Sequence, residues 1–231
     1  MEEKFRRRHL PHWDSPGATY FITSCLDGSI PAEGLLDIVE HQSQLSRREK
    51  PDGFSEKEWK TLCWKWNFAR RDQWLDRALE VRHFADPALS KIAADSLYFF
   101  AGQRYDMLAY VVMPSHIHWV FKPRDEWVKT LSDKRSPRER IMHSLKLHTA
   151  LKCNEQLGRS GTVWQSEAFW QEESYDHCVV DEDELERIMH YVEQNPVKAE
   201  LVESPENWEF SSAYDRVKFG IPFGRPLIRP K

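Results

Sequence analysis

Cysteine is scarce and dispersed in this chain. The four that occur, Cys25, Cys63, Cys153 and Cys178, form no CxxC pair, so neither a zinc ribbon nor a dense disulfide framework is indicated, and a reduced, cytoplasmic setting is expected. Long apolar runs are missing too: no stretch approaches about 18 consecutive apolar residues. The opening MEEKFRRRHLPHWD has basic residues with no apolar run behind them, so neither a membrane span nor secretion is expected. Internal repeats and low-complexity tracts are absent. An excess of positive charge is absent as well: 33 Lys and Arg stand against 37 Asp and Glu, a net charge of −4, which by itself argues against nucleic acid as a partner. What is present, 231 residues of which 40% are hydrophobic and 30% charged, suffices for one core of ordinary size plus an insertion, so a single domain over 1–231 is expected.

Apolar periodicity orders the elements. Residues 18–25, ATYFITSC, are rich in β-branched and aromatic side chains and stop at Asp27-Gly28, which reads as a first strand. Residues 35–49 and 55–79 mix polar and apolar side chains at helical spacing on either side of Lys50-Pro51-Asp52-Gly53, a helical hairpin inserted over about 35–80. Its second arm carries Trp59, Trp64, Trp66, Phe68 and Trp74, expected to serve packing rather than a ligand. Asp86-Pro87 opens a helix that runs to Ala101 ahead of Gly102. Residues 105–113 and 116–121, with only Pro114-Ser115 between them, read as a tight antiparallel hairpin.

Ser136-Pro137 then starts a basic helix to about Gln156. A further strand is expected within 162–174, and an acidic-headed helix begins at Asp181 and ends at Asn195, stopped by Pro196. The first twelve residues read as a basic arm, and 220–231 as an extended basic tail. The order strand, helix, strand, strand, helix, strand, helix, with one insertion, predicts an α+β fold: a ferredoxin-like antiparallel sheet with helices on one face.

Two constellations could carry chemistry. In His116-Ile117-His118, residues two apart on a strand point to the same side, so both imidazoles would project together and could converge on one divalent metal. Surface histidines at this spacing also occur by chance. In the last predicted helix Tyr191 and Asn195 are four apart and share a helical face, so a phenol and an amide oxygen lie side by side as a nucleophile and a third hard ligand. The same pair also reads as a half-buried core tyrosine and a helix terminator before proline.

The segments YVVMPSHIHWVF, WQEESYDHCVVDEDEL and HYVEQNPVKAELVESPENWEFSSAY, in that order, resemble the REP-associated tyrosine transposases, relatives of the single-strand transposases with an HUH motif and one catalytic tyrosine. The resemblance runs from Thr19 to about Tyr214, interrupted by the insertion. It implies an HUH endonuclease-like domain that nicks single-stranded DNA beside a hairpin and transfers strands through a 5′-phosphotyrosine. His116 and His118 match the HUH pair, Tyr191 the tyrosine of the YxxxN pattern, and Asn195 the position completing a site for Mg²⁺ or Mn²⁺. Such a cation would polarise the scissile phosphate, while the phenol, with an ordinary pKa near 10, needs activation to attack at neutral pH. Two positions depart from the family: Ser115 stands where Asn is usual and Glu200 where Gly is common. Tyr175, often Phe in the family, is a competing tyrosine ranked below Tyr191. A cleavage-inactive hairpin-binding regulator and a metallohydrolase without a tyrosyl intermediate are the alternatives. Relatives occur as monomers and as homodimers.

Charge is segregated along the chain. Residues 121–160 hold ten Lys and Arg against five acids, and 167–209 hold fourteen acids against two basic residues. Arg135, Arg138, Arg140, Lys146 and Lys152, on and just before the basic helix, are the candidates for binding the phosphates of single-stranded or hairpin DNA, with bases stacking on Trp164, Phe169 or Trp170. A solvated helix face and core aromatics are the plain readings of the same residues.

Overall fold

Strands rich in β-branched and aromatic residues supply the scaffold of the site. The computed structural model describes residues 4–7, 11–14, 17–77, 80–132, 135–159, 168–172 and 174–229. Its strands are β1 (Lys4–Arg7), β2 (Pro11–Asp14), β3 (Tyr20–Cys25), β4 (Tyr105–Val112), β5 (His116–Pro123) and β6 (Tyr175–Cys178). Its α-helices are α1 (Ala32–Arg47), α2 (Glu56–Arg77), α3 (Pro87–Phe99), α4 (Asp125–Val128), α5 (Pro137–Gln156), α6 (Glu182–Lys198) and α7 (Ser212–Phe219). Four strands form one antiparallel sheet in the order β4-β5-β3-β6, the ferredoxin-like arrangement expected from the sequence. The basic N-terminal arm is instead a small hairpin, with β1 and β2 paired so that Lys4 lies opposite Asp14; its charges masked the strand pattern.

Register decides which side chains share a face. Phe21 and Thr23 on β3 lie opposite Val120 and His118 on β5, while Tyr20 and Ile22 lie opposite Phe121 and Trp119, so the two sets occupy opposite sides. On the Trp119 side sit α3 and α5. There the Tyr105 hydroxyl donates to the Leu97 carbonyl at 2.6 Å, and Arg138 of α5 pairs with Asp176 of β6 at 2.7 Å. On the other side lies α6, whose Tyr191 ring contacts Phe21 and His118. The expectation of helices on one face is therefore corrected. The final helix follows the last strand, and the apolar side chains around His118 need a cover of their own.

Helix boundaries follow capping chemistry. Ser136 and Glu139 form a reciprocal capping box at the start of α5, with Pro137 in the first turn. Asp181 accepts from the Glu184 N–H at the start of α6, and Glu184 reaches back to the Val180 N–H and to His177 of β6. Pro196 does not end α6, which continues to Lys198. A proline in the last turn forfeits one backbone hydrogen bond, and the buried face of the helix outweighs that loss. The helix closes instead at Glu200, whose φ of 55° is left-handed. The Glu200 N–H donates to Val197 and the Leu201 N–H to Pro196, the two bonds of a Schellman end.

Two helices escaped the sequence reading, α4 and α7. The second is capped by Ser211, which accepts from the Tyr214 N–H, and stops at Gly220 with φ 64°. Its Arg216 pairs with Glu193 of α6 at 2.8 Å and donates to the carbonyls of Leu108, Pro222 and Arg225. The C-terminal segment, expected as an extended tail, is tied to β4 by a 2.7 Å bond from the Leu227 N–H to Met107, with the Leu227 side chain buried. The strand expected within 162–174 is not formed by the described residues of that range; the fourth strand of the sheet is β6, which begins just beyond it at Tyr175, while 160–167 and 173 lie outside the described residues.

Residues 28–82 form a separate compact unit built on α1 and α2. Asp37 of α1 holds both Arg70 and the Trp74 indole of α2. The tryptophan stripe packs within this unit, Trp59 edge-on to Trp66 and Trp64 stacked on Phe68. The four cysteines are free thiols, and burial pushes that of Cys153 up to about 12.

Two stability measurements check this account. Glu200→Gly should raise the urea-denaturation free energy by about 1 kcal/mol, because glycine enters the left-handed region without the penalty a side chain incurs; a loss would refute the Schellman assignment. Arg138→Met should cost about 3 kcal/mol by stranding a buried carboxylate. Adding Asp176→Leu should recover most of that loss, and a double variant as unstable as the single would contradict a buried ion pair.

Candidate active site

The β4–β5 turn delivers both histidines. Pro114-Ser115 is closed by a 2.9 Å bond from the Met113 N–H to the His116 carbonyl, after which β5 projects His116 and His118 from one side of the sheet. Both are buried. Hydroxyl groups hold the Nδ1 atom of each ring: Thr23 Oγ1 lies 2.8 Å from His118 and Ser115 Oγ 3.0 Å from His116. The Nε2 atoms therefore turn toward one another, 3.0 Å apart. Burial, then His116, then the Lys198 cation hold the His118 pKa well below the usual imidazole range, which keeps that ring neutral and its nitrogen available to a ligand.

Helix α6 brings the second pair. Ile188, Met189 and Val192 are buried, and this apolar stripe sets the rotation of the helix so that Tyr191 stands half-buried at its border. Tyr191 Oη is 3.5 Å from His118 Nε2 and accepts a hydrogen bond from Asn195 Nδ2 at 3.0 Å. The four residues picked out as nucleophile and ligands thus converge from two elements 73 residues apart. The competing Tyr175 lies on β6 in register with Thr23 and is buried.

The donor set can be tested for fit to a cation. Two imidazole nitrogens bound at about 2.1 Å in neighbouring octahedral positions lie about 3.0 Å apart, the separation seen here. Asn195 Oδ1 is buried without a hydrogen-bond partner, an arrangement that costs about 1–3 kcal/mol unless something binds there. These features fit a hard divalent ion. Among the described residues no group of three His, Cys, Asp or Glu side chains gathers for a metal, so the set is two imidazoles and one amide.

The basic helix lies elsewhere. Helix α5 packs on the opposite side of the sheet from the imidazoles, so its cations do not surround Tyr191. Arg138 is buried in its ion pair with Asp176, and Lys146 donates to the carbonyls of Gln171 and Glu172 and contacts Ser174 Oγ. The phosphate-binding reading gives way at these two positions, because both charges are engaged in holding the fold. Lys152 is exposed and pairs with Glu155 at 2.9 Å; Arg135 is exposed and Arg140 half-buried. Trp164 lies outside the described residues, while Phe169 and Trp170 are buried and pack on Phe84. The acidic stretch is partly consumed inside the fold as well, with Asp176, Glu184 and Glu193 paired to Arg138, His177 and Arg216. Sequence reasoning missed Thr23, Ser115 and Lys198. Thr23 becomes visible only once the β3–β5 register is known, and Lys198 only once α6 is seen to pass Pro196.

Comparison with known proteins bears on the same region. Residues 89–195 match the family model described as "Transposase IS200 like". A protein of Haemophilus influenzae, assigned by its name to the REP-associated tyrosine transposases, is 24% identical over 126 residues, covering 51% of this chain and 64% of its own length. A solved REP-associated tyrosine transposase bound to a REP hairpin overlaps 97% of this chain and 94% of its own at 14% identity, with a TM-score of 0.45, too slight a likeness to carry weight. Among the described residues no helix is long and apolar enough to cross a membrane. The resemblance to the REP-associated tyrosine transposases thus extends to these comparisons, and the stretch that is similar to the IS200-like transposase model, residues 89–195, contains His116, His118, Tyr191 and Asn195.

Proposed function

We propose that this protein is a metal-dependent nuclease and strand transferase for single-stranded DNA, acting beside hairpins through a tyrosyl intermediate. The observation that carries the reading is the convergence of His116 Nε2, His118 Nε2, Tyr191 Oη and Asn195, linked by contacts of 3.0 to 3.5 Å. The transposase family match and the name of the Haemophilus influenzae relative, of which the alignment spans 64%, support a DNA-processing role; hairpin DNA as substrate is this reading's extension of that role.

The residues divide the work. Thr23 and Ser115 fix the imidazole planes, and with Asn195 the two rings would hold Mg²⁺ or Mn²⁺. When bound, that ion supplies Lewis-acid polarisation of the scissile phosphate. Tyr191 Oη attacks phosphorus and loses its proton to solvent; the Oη–P bond forms as the P–O3′ bond breaks, and the departing 3′ oxygen takes up a proton. The Asn195 N–H already pointing at Oη stabilises negative charge developing there before attack. The 5′-phosphotyrosine retains the energy of the original ester, so a 3′-hydroxyl can attack it in reverse and rejoin strands without ATP.

Labelled hairpins with single-stranded flanks of randomised sequence, mixed with the protein and Mg²⁺ or Mn²⁺, provide the test. A covalent adduct surviving denaturing electrophoresis is expected from the unaltered chain and from none of the Tyr191→Phe protein, and chelation of the metal should abolish it. His116→Ala and His118→Ala should each slow its formation by about 100-fold or more. An adduct persisting in Tyr191→Phe would remove the nucleophile from this reading. Hairpin binding with no adduct from the unaltered chain would leave a cleavage-inactive regulator, and cleavage surviving Tyr191→Phe but lost in His116→Ala would leave a metallohydrolase.

A further inference from the structure

Residues 167–209 contain only two basic side chains, Arg187 and Lys198, among fourteen acids. Both lie on α6, and their placement there is not random. At 3.6 residues per turn, Arg187 stands one turn before Tyr191 and Lys198 two turns after it, both on the stripe that carries the tyrosine. Both are exposed, whereas Asn195, displaced to the other side of that stripe, is buried. Tyr191 thus stands at a boundary, with neutral ligands on its inner side and cations along its outer side. The reach is also right. Side chains on a helix lean toward its N-terminus, so Lys198 leans back over the last turn, and its Nζ lies 5.9 Å from the centre of the Tyr191 ring.

We infer that the outer border of α6, Arg187 through Tyr191 to Lys198, is a phosphate track along which the single strand lies, Lys198 engaging the phosphodiester attacked by Tyr191 and Arg187 a neighbouring phosphate. Lys198 exists on this face because the helix passes Pro196; a helix ending at Asn195 would leave it in a loop. A lysine in the last turn complements the helix dipole, but an arginine in the middle of the helix gains nothing comparable. The two cations lie about 16 Å apart along the axis at 1.5 Å per residue, a span suited to a strand running along the helix. This track rests on the proposed function for its substrate, and it moves the expected phosphate contacts from α5 to α6.

The experiment measures binding without cleavage. In a Tyr191→Phe background, the affinity for a fluorescein-labelled single-stranded DNA of randomised sequence is followed by anisotropy over a range of KCl concentrations. Each lost phosphate contact should lower the slope of log K against log salt by about 0.7. Lys198→Met and Arg187→Met are expected to do so singly and to sum in the double variant, while Lys198→Arg should retain the slope. Lys91→Met, on α3 across the sheet, serves as the control for net charge and should leave the slope unchanged. With Tyr191 restored, Lys198→Met should lower the maximal rate of adduct formation at saturating DNA about tenfold. Slopes unaltered in the Lys198 and Arg187 variants, or lowered equally by Lys91→Met, would overturn the track. Adduct formation with unaltered slopes refutes the track alone; altered slopes without any adduct refute the tyrosyl chemistry alone.

Discussion

The packing of α6 against the imidazole-bearing face of the sheet is the constraint on which the site depends. Burying two histidines, an asparagine and part of a tyrosine is unfavourable unless their polar atoms are satisfied. The opposing gain comes from Ile188, Met189 and Val192, all buried, at about 1.5–3 kcal/mol for each fully covered side chain. The helix is also anchored by two of its carboxylates: Glu184 near its start lies 3.1 Å from His177 Nε2 of β6, and Glu193 bonds Arg216 and Ser212 of α7. Because these anchors lie on either side of Tyr191, a rotation of α6 that withdrew the phenol from His118 would break buried polar contacts, among them the Arg216–Glu193 ion pair. The polar site is thus positioned by interactions that do not take part in it.

The same logic explains the sheet face. His118 belongs to a row that crosses the strands, with Val111 of β4 on one side and Thr23 of β3 on the other. The threonine sits in a buried row and gives Nδ1 a hydrogen-bond partner, fixing which way the ring points. A buried hydroxyl is tolerated there because it is satisfied by the imidazole itself, so the relief of its polar cost and its positioning effect arise from one bond.

Much of this was legible in the sequence, for identifiable reasons. The Pro114-Ser115 turn, the Ser136-Pro137 helix start and the apolar stripe of Ile188 and Val192 are local signals, and they carried the hairpin, α5 and the side-by-side placement of Tyr191 and Asn195. Long-range features were not local. No periodicity reports that Thr23 lies opposite His118, or that Arg138 points inward to Asp176, since both depend on register between distant segments. Two further misses have different causes. Pro196 outweighed the surrounding helical pattern in the reading, although tertiary burial carries the helix through it. Helix α7 did have a Ser211 cap and a Gly220 stop, but only eight residues lie between them, too short for amphipathic periodicity to declare itself.

Net charge was the most misleading quantity, and the structure shows why. A total of −4 counts a buried Asp176 or Glu193 as equal to an exposed acid, yet each of these is cancelled inside the fold by an arginine. Arg138 is likewise lost to the surface, so the basic helix offers DNA less than its composition suggests. Under the proposed function the ligands would be two imidazoles and an amide, which would leave the full charge of a bound divalent ion to face a phosphodiester. Carboxylate ligands would bind that ion more tightly but would reduce the field at the substrate. On that proposal a neutral donor set would trade metal affinity for attraction toward DNA, and in a chain of net negative charge that local field, rather than the overall balance, is what an approaching strand would meet.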